Sequence, residues 1–324
     1  MLKLNQLDNI SQLADLVICP LDSWDVIAVQ GEDRISFLQG QLTCDINSLK
    51  IGEQTLAAQC TPQGKVCSLF HVILLEDRVL FLQPSSVTEK QLTALQKYAA
   101  FSKVKIHKDS EYQAITLLGE KSSDFISQEL TTENISKSGL LLPNGMHISK
   151  QLTPSLRYLL VLKKEQGSAL LKQLEDKATY HDDSLWNAMN IAAGMAFIEE
   201  INSEKFIPQM LNLQALDGIS FTKGCYIGQE TIARAKYRGA NKRALFILSG
   251  HASCAPKAGD TLQLLLNNQW KRIGSVISAC QYGDAHIEVL AVLPKDSQAD
   301  DIYQIKEIEG STLYLVALPY PLDN

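Results

Sequence analysis

The alternation of apolar and polar positions divides the chain into two textures. In the first, Trp24–Val29 reads as a strand closed by Gly31, and a helix is expected from about Ser36 to Gln41. Thr55–Thr61, Val66–Leu75 and Arg78–Gln83 read as further strands, with turns at Pro62-Gln-Gly64 and Glu76-Asp77. Ser86-x-x-Glu89 has the form of a capping box, so a helix should start there and continue to about Ala99. Ala114–Leu118 is another strand, ended by Gly119. Asp182 and Asp183 are placed to cap a helix from about Ser184 to Ala193, whose apolar stripe holds Leu185, Met189, Ala192 and Ala193. After residue 243 come short strand-like runs separated by turn residues: Ala244–Ser249, Thr261–Leu266, Gly274–Ala279, His286–Val292, Tyr303–Ile308 and Thr312–Leu318. Regular short strands of this kind predict a closed or sandwich-like β domain. The boundary is expected near Asn241, giving regions 1–240 and 241–324.

An internal repeat crosses the first region. Gly31-Glu32 is followed by Phe37, Leu38 and Leu42, and Gly119-Glu120 by Phe125, Ile126 and Leu130 at the same offsets. Two copies of strand, glycine and helix predict a duplicated α+β unit.

Composition adds bounds. A chain of 324 residues with 45% hydrophobic and 20% charged residues is that of a soluble globular protein of two or three domains. The first twenty residues hold Lys3, Asp8 and Asp15 without a continuous apolar run, so no signal peptide or membrane anchor is expected. A net charge of −6 argues against broad, nonspecific nucleic-acid binding. The seven cysteines are dispersed without a C-x-x-C pair, which points to reduced thiols in a cytoplasm. The six histidines do not cluster, so no metal or iron–sulfur cluster of the chain's own is expected.

The stretch Lys223-Gly224-Cys225-Tyr226-Ile227-Gly228-Gln229-Glu230 sets a thiol between two glycines, two residues after a lysine. Gly224 and Gly228 suggest a tight loop with positive φ. Lys223 is placed to lower the pKa of Cys225, whose thiolate would be the reactive form. The competing reading is a structural turn around an inert, buried cysteine. Residues 231–243 carry Arg234, Lys236, Arg238, Lys242 and Arg243 and no acid, a local attractor for anions or simply a solvated charged face.

Together with Phe37–Asp45, Phe206–Phe221 and Arg234–Arg243, the octet resembles the signature of the YgfZ-type folate-binding proteins, relatives of the glycine-cleavage aminomethyltransferases. The resemblance spans nearly the whole chain. It implies an α+β fold of duplicated, intertwined ferredoxin-like halves followed by a small C-terminal β-barrel. It implies tetrahydrofolate, or a one-carbon-loaded folate, as cofactor, with Trp24 and Trp186 lining its site and Trp270 left to core packing. Cys225 would be the functional thiol, tuned or oriented by Lys223. Gln229 and Glu230 would fix the loop by hydrogen bonds, and Arg234 with Lys236 would attract the anionic folate tail or, alternatively, an RNA backbone. The implied role is cytoplasmic support for assembly or repair of iron–sulfur enzymes. Those that thiolate tRNA are among them, so tRNA modification follows, with an indirect influence on replication initiation. Iron–sulfur assembly proteins or client enzymes would be partners, and direct tRNA contact is a further option.

One departure weighs against aminomethyl transfer. Where the aminomethyltransferases follow a Gly-Gly turn with two catalytic aspartates, this chain has Gly64-Lys65-Val66-Cys67-Ser68-Leu69, and no acid precedes Glu76. A one-carbon transferase with another substrate and a tRNA-binding adaptor using residues 234–243 remain the alternatives.

Overall fold

A computed structural model describes residues 4, 10, 13–283 and 285–322. In chain order the first region contains β1 (Val17–Pro20), β2 (Trp24–Gln30), α1 (Arg34–Gln39), β3 (Gln54–Cys60), β4 (Val66–Leu74), β5 (Arg78–Pro84), α2 (Thr88–Tyr98) and β6 (Lys105–Lys108). It continues with β7 (Tyr112–Leu118), α3 (Ser122–Phe125), β8 (Leu140–Leu141), β9 (His147–Gln151), β10 (Arg157–Lys163), α4 (Lys164–Gln173), β11 (Thr179–Tyr180), α5 (Ser184–Ala192) and α6 (Gln229–Tyr237).

Two sheets result, one ordered β3-β4-β5-β2-β6 and the other β8-β9-β10-β7-β1-β11. The orders correspond place for place through the first five strands. Helices follow β2 and β7, as the repeat predicts, and a second helix follows β5 and β10. The place held by β6 in the first sheet is held in the second by β1, from the start of the chain. The halves are therefore duplicated and intertwined. Strand β4 is buried along its whole length, which explains its near-continuous apolar run.

The remaining strands are β12 (Arg243–His251), β13 (Thr261–Leu266), β14 (Gln269–Gln281), β15 (His286–Pro294), β16 (Tyr303–Ile305) and β17 (Thr312–Val316). They close into a barrel in the order β12-β15-β14-β13-β16-β17. Closure removes the exposed edges that an open sheet of this kind would present. Three asparagines dock the barrel by bonding its backbone. Asn187 donates to Ala279 O (2.9 Å), Asn202 to Val276 O (3.0 Å) and Asn212 to Leu245 O (2.8 Å). Leu245, Ile277, Leu290 and Val292 join the same apolar cluster as Trp186 and Met189, so barrel and sheets share a core.

Four local expectations are corrected. The first helix begins at Arg34 rather than Ser36. The Ser86-x-x-Glu89 capping box does not form, because the chain enters α2 through a 3-10 turn at Ser85–Val87. Asp183 does not cap α5 with its side chain. Its carboxylate instead accepts from Ser23 N (2.8 Å), tying α5 to the entry of β2, while Asp182 accepts from Ser184 N. Trp270 is not in the core; it stands 38% exposed near the start of β14, opposite Leu265 of β13. Among the described residues, no helix is long and apolar enough to cross a membrane.

Candidate ligand chamber and motif loop

The sequence-predicted site residues fall into two groups. Trp24 opens β2 and Trp186 lies in the first turn of α5, and their rings meet edge to face at 6.0 Å. Phe197 stands 4.7 Å from Trp24 and 5.2 Å from His71, which completes an aromatic cluster at the junction of the two halves. Two cavities open on it. One, of about 370 Å³, is walled by Trp24, Phe197, Asn190, Met195, Asp183 and Glu199. The other, of about 830 Å³, is walled by His71, Gln54, Gln151, Met195, Lys150 and Tyr320, among others. Both fall in the size range of small-molecule sites. Of the two tryptophans only Trp24 reaches a cavity wall among the described residues; Trp186 is fully buried behind it.

Arg157, the first residue of β10, lies over the Trp186 ring with its guanidinium carbon 4.5 Å from the centroid. It is fully buried. Burial lowers its pKa to about 9, so it remains a cation at neutral pH. Its Nη2 donates to Asn190 Oδ1 at 2.9 Å. No carboxylate pairs with it among the described residues, and Nε and Nη1 have no hydrogen-bond partner there. His71 is held neutral, its pKa lowered to about 3 by burial and then by Arg157 and His147. Sequence reasoning missed Arg157, His71, Met195 and Phe197.

The second group is the octet, which closes a clasp over the other motif segment. Ile227 N donates to Gly40 O (3.0 Å) and Ser220 N to Thr43 O (2.8 Å). Thr43 Oγ1 donates to Gly218 O (2.7 Å). The Lys223 ammonium donates to Leu42 O (2.8 Å) and Cys44 O (2.6 Å) and lies 5.0 Å from the Tyr226 ring. Burial lowers its pKa to about 8, opposed by Cys44 and Asp45. Its charge is thus committed to the 37–45 segment rather than to Cys225, which is exposed. Gly228 is left-handed (φ 84°) and starts α6, whereas Gly224 has no positive φ and open space where a Cβ would stand. Glu230 does not fix the loop; its carboxylate pairs with Arg234 at 2.6 Å, and both are exposed. Gln229 contributes its backbone N–H to Tyr226 O (3.2 Å). Lys236 lies 3.7 Å from the Phe221 ring centroid. Neither Arg234 nor Lys236 is part of either cavity wall among the described residues.

At the positions of the missing aspartates, Cys67 and Ser68 are buried in β4, and Ser68 bonds Gln83 (2.7 Å). A carboxylate does approach Cys67 from elsewhere in the chain, Glu204 at 3.9 Å. No group of three or more metal-binding side chains occurs among the described residues. Five of the seven cysteines are buried, and Cys225 and Cys254 are exposed. A disulfide reagent such as Ellman's is therefore expected to label two thiols rapidly in the folded protein and seven after denaturation. More than two fast thiols would contradict this burial.

The barrel residues 241–307 match the family model described as "YgfZ, beta-barrel domain". The chain is 41% identical over 315 residues to the tRNA-modifying protein YgfZ of Yersinia pestis (strain Pestoides F), covering 95% of this chain and 93% of that protein. It is 38% identical to its counterpart in Pectobacterium carotovorum, over 97% and 94% of the two chains. In fold it resembles the glycine cleavage system aminomethyltransferase T from Bartonella henselae, with a TM-score of 0.74 at 16% identity, over 95% and 86% of the chains. A likeness at that identity speaks for the architecture alone. Two intertwined sheets, a closed barrel, a clasp joining the two motif segments and 38–41% identity to these relatives over nearly the whole chain agree: the chain belongs to the YgfZ family.

Proposed function

We propose that this protein serves tRNA modification, as its relatives' name indicates for them, and that it does so as a folate-binding protein. One observation carries the folate reading. An aromatic cluster of Trp24, Trp186 and Phe197 with the neutral ring of His71 borders cavities of about 370 and 830 Å³. A flat pterin needs an apolar slot with a few polar anchors, and Asn190, Asp183 and Gln151 supply polar groups in those walls. The folate tail would meet Lys150 in the larger cavity, beside Lys137 and its partner Asp217, rather than Arg234 and Lys236 on α6. The ligand is tetrahydrofolate or a one-carbon-loaded form. The exposed thiol of Cys225, held on the clasp, would serve the clients, which we take to be iron–sulfur enzymes that thiolate tRNA, or the proteins that assemble their clusters. Cytoplasmic residence fits that role.

The test is tetrahydrofolate binding read by quenching of tryptophan fluorescence, wild type against Trp24→Phe. Saturable quenching in wild type, with a smaller amplitude or weaker binding in the variant, is expected. Absence of saturable quenching at near-millimolar ligand would remove folate from the reading.

A further inference from the structure

We propose that Met195 divides what becomes a single chamber when ligand binds, and that the Arg157 guanidinium behind it takes an anionic or carbonyl oxygen of the bound molecule. The inference deepens the folate reading and rests on it for the identity of the ligand.

Met195 is common to the walls of both cavities. Its side chain is unbranched and flexible, the kind that yields to an entering molecule at low cost. Behind it, Arg157 Nη2 bonds Asn190, which walls the smaller cavity, and lies 3.9 Å from Met195 Sδ. The guanidinium therefore stands at the partition itself.

Burying a cation without a counter-ion costs several kcal/mol, and nearly all buried polar groups in folded proteins find partners. Here Arg157 Nε and Nη1, Trp186 Nε1 and His71 Nε2 are all buried without a hydrogen-bond partner among the described residues. These atoms belong to one cluster, since the Arg157 guanidinium covers Trp186 and His71 stands 6.4 Å from it. Three of the four are donors only, and the fourth, His71 Nε2, donates or accepts according to its tautomer. The complementary group is thus an oxygen acceptor. The cavity charges orient the molecule that brings it. Asp183 and Glu199 border the smaller cavity and suit a donor edge, while the larger holds Lys150 beside the Lys137–Asp217 pair, a net positive lining that suits an anionic tail.

The experiment compares wild type, Arg157→Met and Arg157→Lys for binding of tetrahydrofolate, of a tetrahydropterin without a tail, and of p-aminobenzoylglutamate, alongside thermal melts. Loss of a charge-assisted hydrogen bond should weaken tetrahydrofolate binding by Arg157→Met roughly 10- to 100-fold, and Arg157→Lys should recover part of it. The fragment that loses affinity in parallel identifies the oxygen as ring carbonyl or carboxylate. The melting temperature of unliganded Arg157→Met should equal or exceed that of wild type, because an unpaired buried charge has been replaced by an apolar chain of similar length. Unchanged tetrahydrofolate affinity, or a large fall in melting temperature, would overturn the assignment. If wild type binds no folate, the folate reading falls separately. Benzoate at tens of millimolar then decides: stabilisation of wild type but not of Arg157→Met keeps the anion site, and no stabilisation of either ends it.

Discussion

Gly228→Ala is expected to lower stability by about 2–5 kcal/mol, and Gly224→Ala, four residues away in the same motif, by less than about 0.5 kcal/mol. Gly228 sits at φ 84°, a conformation that costs an ordinary residue about 1–2 kcal/mol. An added Cβ would also stand 2.7 Å from Thr61 O, 2.9 Å from Gly64 Cα and 3.2 Å from Cys60 Cβ. Two of those neighbours are backbone and cannot rotate away, and overpacking of this kind adds about 1–3 kcal/mol. The contact matters because it seats the octet on the turn between β3 and β4. A methyl there pushes the start of α6 off that turn and strains the Ile227–Gly40 bond beside it. Gly224 has neither constraint. Urea or thermal unfolding of the two variants checks the contrast, with a fall of roughly 3–7 °C for Gly228→Ala. Equal melting temperatures for the two would mean that the clasp does not depend on this approach.

Much of the fold was legible because its strands are apolar, β-branched runs bounded by turn residues, and because the two Gly-Glu copies mark equivalent points in the two halves. The barrel showed itself by regular short strands. The site was less legible, for a physical reason. Lys223 stands two residues from Cys225, so a reading along the chain pairs them. In the folded protein its ammonium finds the carbonyls of Leu42 and Cys44, about 180 residues away, which satisfy it better than a solvated thiol. Arg157 opens a strand, where an arginine ordinarily faces water, and nothing in its neighbours announces full burial. His71 is one polar letter inside the apolar run of β4. Polar groups gathered by long-range pairing of strands leave no local pattern. Family likeness singled out Trp24 and Trp186, but their order, one at the cavity and one behind it, required the packing of α5 against β2.

Raising the pH above 9 is expected to unfold the reduced protein, with a midpoint about one to three units above the ordinary thiol pKa. Burial pushes the thiols of Cys44, Cys67 and Cys280 up to about 12, and those of Cys19 and Cys60 up as well. The sign follows from proton counts. Between pH 9 and 12 the unfolded chain ionises these thiols while the folded chain keeps their protons. The stability they contribute is thus fully present below pH 9 and is lost as pH rises toward the folded values. Each thiol contributes a slope of up to about 1.4 kcal/mol per pH unit once its unfolded form ionises. Lys223 acts in the opposite sense. Its pKa is lowered to about 8, so the folded state gains stability from about pH 8 up to the ordinary lysine value. One amine opposes five thiols, and a total stability of about 5–15 kcal/mol cannot outlast their combined slope for long. Circular dichroism against pH, with reductant present, measures the midpoint. Cys60→Ala, at a fully buried position, should flatten the alkaline limb, whereas Cys225→Ser, at an exposed one, should leave it unchanged. Stability that stayed level to pH 11.5 would show that the buried thiols ionise in place. The packing of Cys60 beneath Tyr226 and Gly228 would then have to admit water, and the clasp would be looser than its backbone bonds indicate.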